Sequence, residues 1–418
     1  MADCYALLIA DSMMKGIKSM EQSTRAIHMG FPSLDDSHAA AIAMTSAYDF
    51  TSAQEASDRF NGVTEGNIYS RFTNPSVEHF ERKLTSLENA EAAVAFASGM
   101  AAYLALAMTF LKQGDHVVLA SGIFGTTTHL FRQYFGQFGI TATCVDLDDQ
   151  HAWQAAMCDR TRMILVESPT NPLLKVADLS WLSGLAKRNH ALLVVDNTLL
   201  SPVNQRPLNH GADLVLHSTG KFMDGQGRTV GGVIAGRKDV IQPLKNYLRS
   251  SGTCMNAFTA WVLSHGLDTL TARMAMHEQN ARKVEAWLRQ QSCVKQVFST
   301  FSPVHPQAEV IAKQQTGHSP VISFIVEGGQ AAAWRCIDAL NLVARCTNIG
   351  DTKSMVTHPA STTHCRYSQE EKLQYGISDG LVRLCVGLEA SQDIIQDLGQ
   401  ALAASQVKHS LREVVSLS

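Results

Sequence analysis

A chain of 418 residues, 45% hydrophobic and 17% charged with a net charge of −3, has the make-up of a globular protein too long for one average core. That charge gives no field favouring nucleic acid or an acidic membrane, and Lys and Arg form no block. Nine cysteines without a CxxC pair argue against a metal site and for free thiols in a reducing compartment.

Met1 to Met20 carries Asp3 and Asp11 and lacks a basic start before an apolar run, which argues against a secretory signal. No stretch reaches the length of a membrane span, so a cytoplasmic protein with a loosely held first twenty residues is expected. Residues before about Asn74 show no clear core pattern and read as an arm. Val77, Phe80, Leu84 and Leu87 then recur at helical spacing after Asn74-Pro75-Ser76, a suitable helix start. Residues 101–111 predict a second helix, apolar on nearly every face and therefore buried.

From about Asp115 to Gly236, short apolar runs alternate with helix-like segments. The runs are residues 117–120, 163–166, 191–195, 214–216 and 230–235. Strands buried on both faces read this way, so an α/β fold with a largely parallel sheet flanked by helices is predicted. After about Leu270 longer amphipathic stretches (residues 276–289 and 330–340) surround strands at 321–326 and 381–386, which predicts a smaller α/β domain with an antiparallel sheet.

Ligands of doubly wound sheets bind beyond the carboxyl ends of the strands, where Glu167, Asp196 and Lys221 should converge. A lysine and a carboxylate so placed can serve pyridoxal phosphate: the lysine forms a Schiff base, and the carboxylate keeps the pyridine nitrogen protonated. Alone, Asp196 reads better as a turn former and Lys221 as a solvated loop lysine. Together, with Ser218 three residues before the lysine, they favour a cofactor site. Ser98-Gly99-Met100 opens the buried helix and suits a phosphate at its positive end, although an N-cap serine with a turn glycine is common. The glycines at 225, 227, 231 and 232 fail the GxGxxG spacing and precede a strand, so a turn is the better reading.

Six ordered blocks carry a resemblance: Tyr69-Ser70-Arg71-Phe72-Thr73-Asn74-Pro75, Ala97-Ser98-Gly99-Met100-Ala101-Ala102, Glu167-Ser168-Pro169-Thr170-Asn171-Pro172, Val195-Asp196-Asn197-Thr198, residues 217–221 and residues 380–389. With them the chain, from about Thr24 to Leu398, resembles the Cys/Met-metabolism (trans-sulfuration) family of PLP-dependent enzymes with the aminotransferase-like fold, fold type I. The resemblance implies an arm over 1–73 that contacts the neighbouring subunit, a PLP-binding domain over 74–270 and a C-terminal α/β domain over 271–418.

It further implies that Lys221 is the Schiff-base lysine and Asp196 the pyridine-nitrogen partner. Ser98, Gly99, Met100, Thr198 and Ser218 belong to the cofactor set, Phe124 stacks on the cofactor, and Asn171 touches its ring oxygen. Tyr69 and Arg71 reach the phosphate from the neighbouring subunit, which makes a dimer the minimum catalytic unit, and the family's usual state is a homotetramer built as a dimer of dimers. Arg383 clamps the substrate α-carboxylate, with Asn348 beside it.

The stretches Phe124-Gly125-Thr126-Thr127, residues 221–228 and residues 347–353 are most similar to the O-succinylhomoserine sulfhydrylase branch of this family. That likeness implies γ-replacement on an acyl-homoserine by sulfide in methionine biosynthesis, with cystathionine γ-synthase or methionine γ-lyase activity as the alternatives. Methionine γ-lyases usually place a tyrosine at 124 and a cysteine at 126. Two departures stand out: Phe124 has no phenol, which makes Tyr69 one candidate for acid/base duty, and Gly220 stands where relatives usually have threonine. Arg228 is a candidate contact for a second substrate carboxylate. A nucleotide-dependent enzyme or a silent binding protein on the same scaffold are the readings from other classes.

Overall fold

The computed structural model describes residues 17–30 and 38–406. The expectation of a loosely held N-terminal tail therefore falls mostly on residues outside those described. Part of the stretch before Asn74 packs on its own chain: the helix Gln22–His28 lies against the helix Pro75–Leu87 and buries Ala26 completely.

Seven strands form the larger sheet: β1 (Ala92–Phe96), β2 (His116–Ala120), β3 (Thr141–Val145), β4 (Thr161–Glu167), β5 (Leu192–Asp196), β6 (Leu214–Ser218) and β7 (Gly232–Gly236). Their spatial order is β1-β7-β6-β5-β4-β2-β3. The block from β6 to β3 is parallel, and β7 runs antiparallel to both β6 and β1. The continuous apolar runs are explained by what each face meets. Met163 and Leu165 of β4 join the core beneath the helices Gly99–Phe110 and Lys238–Ser251, while Ile164 and Val166 face Trp153 and the helix Leu179–Arg188. Each such side chain, fully removed from water, contributes roughly 1.5–3 kcal/mol.

The smaller sheet contains β8 (Val294–Phe298), β9 (Val321–Val326), β10 (Ala344–Arg345), β11 (Met355–Thr357) and β12 (Leu381–Cys385), in the order β10-β11-β12-β9-β8. Only its β10–β11 edge is parallel. The helices Gly329–Ala339 and Ser391–Ser405 cover one face, which buries Phe324, Ile322 and Leu384.

The helix Leu270–Leu288 ties the two sheets together. Arg273 on its first turns donates to the carbonyls of Phe222 (2.6 Å) and Gly266 (2.6 Å), and to Met223 at 3.3 Å. One turn on, His277 Nδ1 meets the Val386 carbonyl at 2.7 Å, and a further turn on Asn280 donates to Gly387 and Glu389. The lysine turn and the segment after β12 thus share one support. Among the described residues no helix is long and apolar enough to cross a membrane.

Candidate active site

Glu167, Asp196 and Ser218 are the last residues of β4, β5 and β6, and Lys221 follows three residues later in a turn. Glu167 and Asp196 are partners in the strand register, so two buried carboxylates lie side by side. Burial first, and then the neighbouring Asp196, push the Glu167 carboxyl well above its usual range. Its Oε2 accepts the backbone N–H of Phe124 at 3.0 Å and so fixes the start of the helix Gly125–His129. Asp196 takes the Thr198 N–H on Oδ1 (2.9 Å) and the Tyr103 hydroxyl on Oδ2 (2.5 Å).

The Lys221 amine lies mostly buried and donates to the Asn348 side-chain oxygen. Desolvation, followed by the positive charge of Arg383, lowers its pKa from the ordinary lysine value, which favours the neutral form. Arg383 sits in the middle of β12 with its guanidinium fully buried. Its Nη2 donates to the carbonyls of Thr347 (2.7 Å) and Asn348 (3.1 Å), and its Nη1 donates to Asn171 Oδ1 at 3.2 Å. Its Nε has no partner among the described residues. A buried guanidinium whose hydrogen-bond acceptors are neutral, with two of its five N–H donors left over, suits a carboxylate ligand.

A cradle suited to a phosphate lies between the opening of the helix Gly99–Phe110 and the end of β6. A Cβ placed on Gly99 would lie 3.1 Å from Ser218 Cβ and 3.3 Å from its hydroxyl, so the glycine leaves a cradle that any side chain would fill. Ser98 Oγ accepts the Ala101 N–H at 3.0 Å and acts as the helix cap, leaving the backbone of Gly99 and Met100 to face an anion. Met100 is partly buried, and Thr127 approaches its sulfur at 3.9 Å. Thr198 Oγ1 receives the Ser218 N–H at 2.9 Å and ties the end of β6 to the Asp196 turn. An N–H cradle, a hydroxyl, an amine and an aspartate in this sequence match the donors and acceptors of pyridoxal phosphate, and the residues fit that group.

Tyr69 and Arg71 stand apart from this cluster. Arg71 donates to the Arg249 carbonyl and stacks on Phe72 and Tyr69, its guanidinium carbon 4.6 and 5.5 Å from the ring centres. Tyr69 forms an isolated bridge with Ala47 and remains partly exposed, as does Phe124. Among the described residues no hydrogen bond joins Tyr69 or Arg71 to Lys221 or Asp196.

The lysine turn explains the departure at Gly220, because a Cβ there would collide with the Thr229 carbonyl oxygen. Thr219 Oγ1 is buried beside Gly231 and has no partner among the described residues. Arg228 is held in its own turn by Asp224, with Nε to Oδ1 at 2.8 Å, and is not arranged as a free carboxylate contact. Tyr103 and Arg273 escaped the sequence reading. A tyrosine inside an all-apolar helix was the signal for the first, because a buried phenol seeks an acceptor; no signal marked the second.

The family profile described as Cys/Met metabolism PLP-dependent enzyme matches residues 23–403. An O-succinylhomoserine sulfhydrylase from Pseudomonas aeruginosa is 45% identical over 88% of this chain and 91% of its own. An L-methionine gamma-lyase from Pseudomonas putida is 37% identical over 92% of this chain and 97% of its own. A crystal structure of a putative O-acetylhomoserine (thiol)-lyase from Campylobacter jejuni, in which a lysine carries pyridoxyl monophosphate, superposes with a TM-score of 0.88 at 30% identity, over 92% of this chain and all of its own. The larger, mostly parallel sheet and the smaller C-terminal sheet are those of PLP-dependent fold type I. The chain belongs to the Cys/Met metabolism family of PLP-dependent enzymes, and pyridoxal phosphate is its cofactor.

Proposed function

We propose that the enzyme catalyses γ-replacement on O-succinylhomoserine with sulfide, forming homocysteine and releasing succinate. The observation that supports this most is the grouping of Lys221, Asp196, Asn348 and Arg383, and the sequence carries Phe124 and Thr126 where the γ-lyases usually have a tyrosine and a cysteine. The higher identity to the sulfhydrylase than to the γ-lyase agrees with it.

Bound in this cleft, pyridoxal phosphate supplies an electron-withdrawing ring for the electron pair left at the substrate α-carbon. Gly99, Met100 and Ser218 would hold its phosphate, Asp196 would accept a hydrogen bond from its ring nitrogen, and Asn171 would meet its ring oxygen. The Arg383 fork takes the substrate α-carboxylate and presents the α-hydrogen to Lys221. The Lys221 amine, its pKa lowered by burial, removes that proton. Set in a turn, the same amine reaches the neighbouring β-carbon and moves its proton as the γ-carbon–oxygen bond to succinate breaks. Sulfide then forms the new carbon–sulfur bond at the γ-carbon, and Lys221 returns the protons in reverse order.

In this reading a dimer is the smallest working unit, paired into a tetramer in the cytoplasm, with Tyr69 and Arg71 serving the neighbouring subunit's phosphate. Residues 1–73 form the arm between subunits, 74–270 carry the cofactor and 271–418 complete the substrate side.

The test is an absorbance spectrum over roughly 300 to 500 nm, followed by O-succinylhomoserine with and without sulfide. A yellow band that shifts with substrate, and homocysteine only when sulfide is present, is the expected result. Formation of 2-oxobutyrate from methionine would move the assignment to the γ-lyases, and cystathionine from added cysteine would move it to the synthases. The absence of any band after adding the cofactor would remove Lys221 and Asp196 from their roles.

A further inference from the structure

Tyr103 lies on the helix Gly99–Phe110, whose opening forms the phosphate cradle, and it is 3% exposed. Its hydroxyl donates to Asp196 Oδ2 at 2.5 Å, while the Thr198 amide donates to Oδ1 at 2.9 Å. One donor on each oxygen holds a carboxylate in one plane, because rotation breaks a bond in a site where water cannot replace it. The restraint matters because Glu167 stands beside Asp196 in register and repels it whenever both are charged.

We propose that Tyr103 is a positioning residue: it fixes the orientation in which Asp196 meets the cofactor's ring nitrogen, and it keeps an acceptor lone pair of Asp196 turned into the site. The proposal rests on the cofactor assignment of Asp196 given above. Burial, and then the negative charge of Asp196, push the phenol well above its ordinary range, so it remains a donor under working conditions. A tyrosine present only for packing has no need of this bond, and phenylalanine would serve as well. That difference is what the experiment reads.

Tyr103→Phe keeps the ring and removes the donor alone. The cofactor-free wild type and Tyr103→Phe are each titrated with pyridoxal phosphate, the visible band and the dissociation constant are recorded, and the melting temperature of each cofactor-free form is measured. The variant is expected to bind the cofactor about tenfold more weakly. Its band maximum should shift, while its cofactor-free form melts as the wild type does. An unchanged dissociation constant together with an unchanged band overturns the proposal.

If Tyr103→Phe does not fold, 3-fluorotyrosine placed at position 103 preserves the shape and makes the hydroxyl a stronger donor. A band that moves from the wild-type position supports the proposal, and a band that stays put overturns it. A wild type with a normal band beside an unaltered variant defeats only the role of Tyr103. A wild type that forms no band defeats the cofactor assignment and this proposal with it.

Discussion

In the larger sheet Glu167, Asp196 and Ser218 are the terminal residues of their strands, whereas in the smaller sheet Arg383 is the central residue of β12, paired across to Ser323 and Thr357. Parallel strands all end on the same side, so the first three side chains gather there whatever their exact spacing. The arginine depends instead on register: a slip of one residue would turn it to the opposite face of its sheet. One side of the cleft is therefore set by topology and the other by alternation, and the two should respond differently to mutation.

The largest effect is expected on the topological side. Lys221→Ala should abolish the visible cofactor band and lower turnover by several orders of magnitude, about 10⁴-fold or more, because both the attachment point and the proton carrier are lost. Retained turnover in a steady-state assay would end the mechanism. Arg383→Lys tests the other side. It keeps the charge and loses the planar fork, so KM for the amino acid should rise roughly 100-fold while the band persists. Loss of the band in Arg383→Lys would show that the two sides are not separable.

A smaller effect is expected from Gly220→Ala, which forces a Cβ against the Thr229 carbonyl. It should cost about 1–3 kcal/mol of stability, read as a lower melting temperature, with the cofactor band retained. An unshifted melt would mean that the lysine turn yields freely and that the glycine is not required there.

The smallest change concerns His277, buried between the two sheets with its ring edge toward Phe222 at 5.5 Å. Desolvation lowers its pKa from 6.5 to about 4 in the folded chain. Between those values the unfolded chain binds the extra proton, so stability falls as pH drops from 6.5 toward 4 and is unaffected by this group above 6.5. From pH 7.5 to pH 5 its share should be about 1–2 kcal/mol. His277→Asn should reduce the acid sensitivity of the melting temperature, and an identical pH profile would remove His277 from the account.

The sequence displayed the buried elements better than the edges. β4, β5 and β6 are continuous apolar runs because both faces are covered, and they were legible with their terminal carboxylates. β3 is an edge strand that alternates exposed and partly buried residues, Thr141-Ala142-Thr143-Cys144, and it left no such run. β1 is too rich in alanine to stand out, and β7 starts at Gly232 rather than Val230, which is exposed. Asn74 as a helix start was readable because its side chain caps Ser76 and Val77, a local interaction. The bond from Tyr103 to Asp196 spans 93 positions and the bond from Arg273 to Phe222 spans 51, and nothing local to either residue announces them. The roles expected of Lys221 and Asp196 were suggested by their places after apolar strands and sharpened by family resemblance, that of Arg383 came from the resemblance alone, and their mutual geometry came from the fold.

The helix Leu270–Leu288 holds the carbonyls behind Lys221 with Arg273 and the backbone just past β12 with His277 and Asn280. It works as a brace: the turn that carries Lys221 and the segment just past β12 are registered against each other along a single rod, one residue of which advances about 1.5 Å. A substitution on that helix would therefore be felt at both places at once, through backbone carbonyls alone.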